Sequence, residues 1–217
     1  MRSLLLLSLL ALIACSDPDA RDASGRTALM RAAEAGQVDT IRAQLDDGAD
    51  VHARDRCEWT ALLLAAREGH ADAVRLLLAH GANPDDADKA AYTALMVASG
   101  YGRLAAVELL LAHGAAVNTA ESTLGWTALI WAAKAGHTVI IERLLDADAD
   151  LKARDVKGND ALLWAARNGH LDVVQALLAR GADPASTDAD GITALVHAAN
   201  GGHRAVLDVL AAAAAHR

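Results

Sequence analysis

The chain has 217 residues, 53% of them hydrophobic but only 3% aromatic, with no Phe, and its formal net charge is −8. No run of Lys and Arg exceeds two residues, which excludes a nucleic-acid footprint, and the apolar content is that of a core built from small and medium aliphatic side chains. The acidic balance favours a neutral or basic protein partner.

Taken in chain order, Arg2 supplies a minimal positive start, and Leu4 to Ala14 form an apolar stretch. That stretch is too short to span a bilayer as a helix and has the size of a secretory hydrophobic segment. It ends in Leu12-Ile13-Ala14-Cys15: an aliphatic residue, a tolerant position, a small residue, then Cys. The pattern resembles the bacterial lipobox. The resemblance implies that residues 1–14 are a lipoprotein signal peptide, that Cys15 is lipidated after cleavage, and that 15–21 form a short tether. Ser16 after the Cys, in place of Asp, favours the outer membrane over the inner one. The expected location is the bacterial cell envelope, at the periplasmic face of the outer membrane, with the lipid anchor as the sole membrane contact. An ordinary cleaved signal with a coincidental Cys is the alternative.

From residue 22 onward one phrase recurs. It reads TALMRAAEAGQ from Thr27, TALLLAAREGH from Thr60, TALMVASGYGR from Thr93, TALIWAAKAGH from Thr127, DALLWAARNGH from Asp160 and TALVHAANGGH from Thr193, at spacings of 33, 33, 34, 33 and 33 residues. Such a period marks a solenoid whose units bury a core only by stacking on their neighbours. In each unit Thr, or Asp160, suits a helix N-cap, and a first helix runs to Gly36, Gly69, Gly102, Gly136, Gly169 or Gly202. A second helix follows and stops at Gly48, Gly81, Gly114 and Gly181, with Asp148 at that place in the fourth unit. An acidic residue then opens each next turn: Asp55, Asp88, Glu121, Asp155 and Asp188.

Two short helices and a projecting turn per 33 residues resemble the ankyrin repeat. The resemblance covers residues 22–217 and implies an all-α ankyrin-repeat solenoid of paired antiparallel helices with projecting β-turn fingers. Its repeats are expected at 22–54, 55–87, 88–120, 121–154, 155–187 and 188–217. One departure is consistent. The family's Thr-Pro-Leu-His becomes Thr-Ala-Leu followed by Met30, Leu63, Met96, Ile130, Leu163 or Val196, so the family's Thr–His hydrogen bond gives way to hydrophobic packing. Polar Arg31, Gln37, Arg42 and Gln44 suit a first cap, and His216-Arg217 suit a helix C-terminus. The array is expected to be complete.

Motifs that imitate chemistry have better explanations. Gly100-Tyr101-Gly102 follows no strand, so it is no dinucleotide fingerprint. Asp146, Asp148 and Asp150 imitate a calcium loop, but Leu151 and Lys157 stand where its Gly and Glu belong. His70, His137, His170 and His203 follow the cap Gly at one unit position, which ankyrin proteins fill with structural His; a metal ladder is the competing reading. No Ser lies in a nucleophile elbow. The expectation is no catalysis, no metal and no cofactor. Cys57 is left as a lone thiol, expected to be a passive one on a finger, with an intermolecular disulfide as the alternative; a monomer is expected.

In ankyrin proteins the turn tips and the ends of the first helices line a concave face. All six aromatics fall on such positions. Trp59, Tyr92 and Trp126 precede the capping Thr of three consecutive units and are expected to be exposed tips; Tyr101 precedes Gly102; Trp131 and Trp164 share one first-helix position. Arg67, Lys134 and Arg167 border them. Aromatic anchors in a polar rim are the composition of binding hot spots. The reading is a non-catalytic protein-binding module of the cell envelope. Resemblance to small exported bacterial ankyrin proteins implies either support of an envelope enzyme in catalase-linked oxidative-stress protection, or neutralisation of a toxin as an immunity protein. A metal-handling or enzymatic protein using the His series is the alternative.

Overall fold

The computed structural model describes residues 19–215; the signal peptide expected at 1–14, Cys15, and the closing His216 and Arg217 lie outside the described residues. Among the described residues twelve helices follow one another: α1 Ala28–Glu34, α2 Val38–Asp46, α3 Ala61–Glu68, α4 Ala71–Ala79, α5 Ala94–Gly100, α6 Leu104–Ala112, α7 Ala128–Ala135, α8 Thr138–Asp146, α9 Ala161–Asn168, α10 Leu171–Ala179, α11 Ala194–Asn200 and α12 Arg204–Ala215. The architecture is all-helical and repetitive. The odd-numbered helices pack on one another in one row, the even-numbered helices in a second, and each odd helix packs on the even helix that follows it.

Each odd helix begins at its expected cap. The side chains of Thr27, Thr60, Thr93, Thr127, Asp160 and Thr193 accept a hydrogen bond from the amide three residues on. Asp160 makes the shortest of these, 2.9 Å to Leu163 N. An orphan amide of each first turn is thereby satisfied. The position after the Leu of each phrase is buried as the loss of the Thr–His bond requires: Met30, Leu63, Met96, Ile130 and Leu163 are at most 1% exposed. Val196, with no described unit stacked beyond it, is 38% exposed.

The turns between units are built by their acidic residue. Asp55 Oδ1 accepts from the amides of Cys57 and Trp59, and Asp88, Asp155 and Asp188 repeat the arrangement. Adjacent fingers are then stitched by one backbone hydrogen bond per step, from Arg56 N to Ser24 O through Ala189 N to Lys157 O. The 34-residue step is explained here. Glu121 replaces Asp, and its longer side chain accepts from Thr123, Leu124 and Trp126 around a turn with one extra residue. Burial alone would raise the Glu121 carboxyl, but the amides of Thr123, Trp126 and Leu124 outweigh it and hold it below its ordinary value.

In two fingers the left-handed position lacks glycine: Glu58 has φ 67° and Ala91 φ 64°. A Cβ makes that conformation costly. Ala91→Gly is expected to raise unfolding free energy by about 0.5–1 kcal/mol, because relief of the strain outweighs the added freedom of the unfolded chain. Urea unfolding of the two proteins side by side measures it. Asp148, at φ 62°, ends α8 as expected of its place in the unit.

Arg21, assigned to the tether from sequence, donates to the carbonyls of Gly25 and Arg54, and Asp19 Oδ1 accepts from Asp50 N at 3.1 Å. Side chains of residues 19 and 21 therefore already contact the first unit.

Candidate functional site

On the face formed by the turn tips and the odd-helix ends, Tyr92, Trp131, Trp126 and Trp164 are brought together into one continuous cluster. Trp131 meets Tyr92 edge-on with ring centroids 5.8 Å apart, and Trp126 meets Trp131 at 4.7 Å and Trp164 at 5.1 Å, again edge-on. Edge-to-face pairs at these distances are favourable beyond their buried area. Basic side chains from the last turns of the odd helices lie over the rings. Arg67 is 5.1 Å from the Trp59 centroid, Lys134 5.1 Å from Trp126 and 5.9 Å from Trp131, and Arg167 5.5 Å from Trp164. All nine residues singled out from sequence lie on this face, eight in these ring and cation contacts and Tyr101 at a pocket beside them.

Exposure is where the expectation needs correcting. Trp126 is no exposed tip: it is 6% exposed, wedged between the rings of Trp131 and Trp164. Trp59, Tyr92 and Trp131 are half-buried against the core, and Trp164 is half-buried as well. The cause is that the residue before the cap also stitches units. Trp59 Nε1 donates to Asp88 Oδ2 at 3.0 Å and Trp126 Nε1 to Asp155 Oδ2 at 3.3 Å, each 29 residues ahead. Tyr101 alone of the six stands well out, at 57% exposure.

The two helix tryptophans differ. Trp164 Nε1 donates to Asp155 Oδ2 at 2.9 Å, whereas the buried Trp131 Nε1 has no partner. The acid of Trp131's own unit is Glu121, whose carboxylate is taken by backbone amides.

Charge is unevenly balanced along the strip. Arg67 is neutralised twice over, by Glu34 at 2.7 Å and Glu68 at 2.6 Å. Lys134 and Arg167 show ring contacts and no ion pair among the described residues. Between these cations lies a cavity of about 210 Å³ lined by Trp59, Asp88, Tyr92, Val97, Tyr101 and Trp131. Gly100 makes the room. It stands in the phrase where Arg67, Lys134 and Arg167 stand, and a Cβ on it would lie 2.8 Å from Trp131 Cε3. Asp88, Val97 and Gly100 are the residues that sequence reasoning missed, although the aligned phrases already placed a Gly among the basic residues.

The histidines do structural work. Nε2 of His70, His137 and His170 donates to the carbonyls of Glu34, Gly100 and Lys134 in the preceding unit, at 3.1, 3.2 and 2.9 Å, and His203 does the same to Arg167 at 3.2 Å. Arg103 takes the place of His in the third unit, with Nε 2.9 Å from Arg67 O. Among the described residues no three His, Cys, Asp or Glu side chains are grouped to hold a metal ion. Asp146, of the imitation calcium loop, pairs with Arg180 at 2.9 Å. Cys57 is free and exposed on its finger.

Capped helix pairs, stitched fingers and His bridges from unit to unit make a solenoid of stacked helix–turn–helix repeats. The chain matches the family described as ankyrin repeats (3 copies) over residues 29–121 and 116–188, and it belongs to that family. Ankyrin repeats are a protein–protein interaction module, and proteins built from them are generally non-catalytic. No curated protein matches the chain.

Proposed function

We propose that this protein is a lipid-anchored interaction module of the bacterial cell envelope, with six ankyrin repeats whose concave face holds a protein partner without bond chemistry. The observation that carries the reading is the strip from Trp59 to Trp164, where rings fixed by edge-on packing carry basic side chains and Tyr101 projects beside them. Rigid aromatics with a polar rim supply contact area at little entropic cost. Leu12-Ile13-Ala14-Cys15 supports export and acylation of Cys15. The six residues Ser16 to Arg21 reach at most about 20 Å, which keeps the module near the membrane surface.

Capture of partners from envelope extracts with wild type and with Lys134→Glu/Arg167→Glu tests the binding reading. The wild type is expected to retain a partner that the double variant loses by at least about tenfold, since neither cation is ion-paired among the described residues. Equal capture by both proteins contradicts the reading. The identity of the partner, an envelope enzyme or a toxin, separates the two roles the sequence implies. Cys15→Ala is expected to move the protein from the membrane to the soluble fraction; unchanged membrane association counts against the anchor.

A further inference from the structure

The cation series along the strip has one gap. Arg67, Lys134 and Arg167 each lie over an aromatic ring; in the third unit the same phrase position is Gly100. At that gap is the cavity walled by Trp59, Tyr92, Tyr101 and Trp131, floored in part by the small Val97, with the carboxylate-bearing Asp88 in its lining. Aromatic rings attract a cation, which the protein itself supplies at the neighbouring positions and withholds here.

We infer that this cavity receives the basic side chain, lysine or arginine, of a protein partner, which completes the row of cations over the aromatic strip. The inference deepens the binding-face reading above and rests on it. Charge agrees with it. Asp88 lies in the wall, and burial together with the carboxylates of Glu121 and Asp88 raises the Tyr92 phenol. Arg67, the cation over Trp59, is ion-paired with Glu68 and with Glu34, which Arg26 also contacts; Lys134, over Trp131, is an opposing charge at the rim. The net charge of −8 steers in the same direction. The size agrees as well. About 210 Å³ is below the roughly 300–1,000 Å³ of pockets for drug-sized ligands and suits one long side chain.

The test uses the full chain, 15N-labelled, and follows its indole N–H resonances. The probes are end-blocked pentapeptides Gly-Gly-Xaa-Gly-Gly, with Xaa as Arg, Lys, Met or Glu, and tetramethylammonium. Arg and Lys peptides are expected to shift the Trp59 and Trp131 signals saturably, with Met and Glu peptides at least about fivefold weaker. Tyr101→Ala, an exposed position, is expected to weaken the Arg peptide about fivefold while leaving the melting temperature unchanged. Met or Glu peptides that bind as well as the basic ones would overturn the inference, as would no saturable shift from any peptide. Shifts from tetramethylammonium alone would overturn it too, since the site would then take a small cation. If the peptides fail while Lys134→Glu/Arg167→Glu still loses the captured partner, the pocket assignment falls and the binding face stands; if that capture difference also vanishes, both fall.

Discussion

Trp126→Ala is expected to lower unfolding free energy by about 3–5 kcal/mol, the range for truncating a buried tryptophan. The ring lies between Trp131 and Trp164 at 6% exposure, and its indole holds Asp155 of the next unit. Its removal opens a cavity where two units meet and frees both flanking rings. A molecule of this size loses about 2–4 °C of melting temperature per kcal/mol, so the shift is read easily by circular dichroism. Tyr101→Ala, on the same face, is expected to stay within about 0.5 kcal/mol of wild type. A Trp126→Ala protein as stable as wild type would mean that the aromatic cluster does not tie the units together.

The second large effect is expected at Gly136. Its φ is +83°, and a Cβ there would lie 2.8 Å from the His170 ring. Gly136→Ala therefore meets two costs. The left-handed conformation costs about 0.5–1 kcal/mol net of the freedom that alanine removes from the unfolded chain. Displacing the imidazole weakens the bond from His170 Nε2 to Lys134 O, for about another 1 kcal/mol. The costs are coupled, which gives the test its sign. In a His170→Ala background the ring is gone, and Gly136→Ala is expected to cost only the conformational part. Urea unfolding of the four proteins closes the cycle. Strict additivity would show that glycine serves its backbone alone and that the imidazole bridge does not depend on the bare Cα. Because Lys134 is both the bridge's acceptor residue and the cation over Trp126, the same substitution is expected to weaken partner binding.

The helical architecture was readable because its signals recur. A capping Thr, an ending Gly and a turn acid repeated at one period placed every odd helix start where the side chain does cap. Which residues share the face of finger tips and odd-helix ends was readable too, since unit position alone determines which way a residue points. What was hidden is pairwise. That Trp59 and Trp126 stitch to acids 29 residues ahead depends on the stacking of neighbours, so tips that read as exposed are half-buried or buried. The meaning of the extra residue in the fourth turn needed the three amides that Glu121 gathers. Gly100 read as part of a false fingerprint because its role is the absence of a side chain beside Trp131, a packing fact with no local signature.

The central claim is that the odd-helix and finger-tip face, and not the even-helix row, meets the partner. Two exposed positions of comparable accessibility compare them directly: Tyr101, at 57%, on the first face and Val139, at 49%, on α8 of the second row. A photo-crosslinking amino acid at each position, followed by irradiation of intact cells, measures which face is covered. The account predicts a partner adduct from position 101 and none from position 139. An adduct from 139 with none from 101 would contradict it.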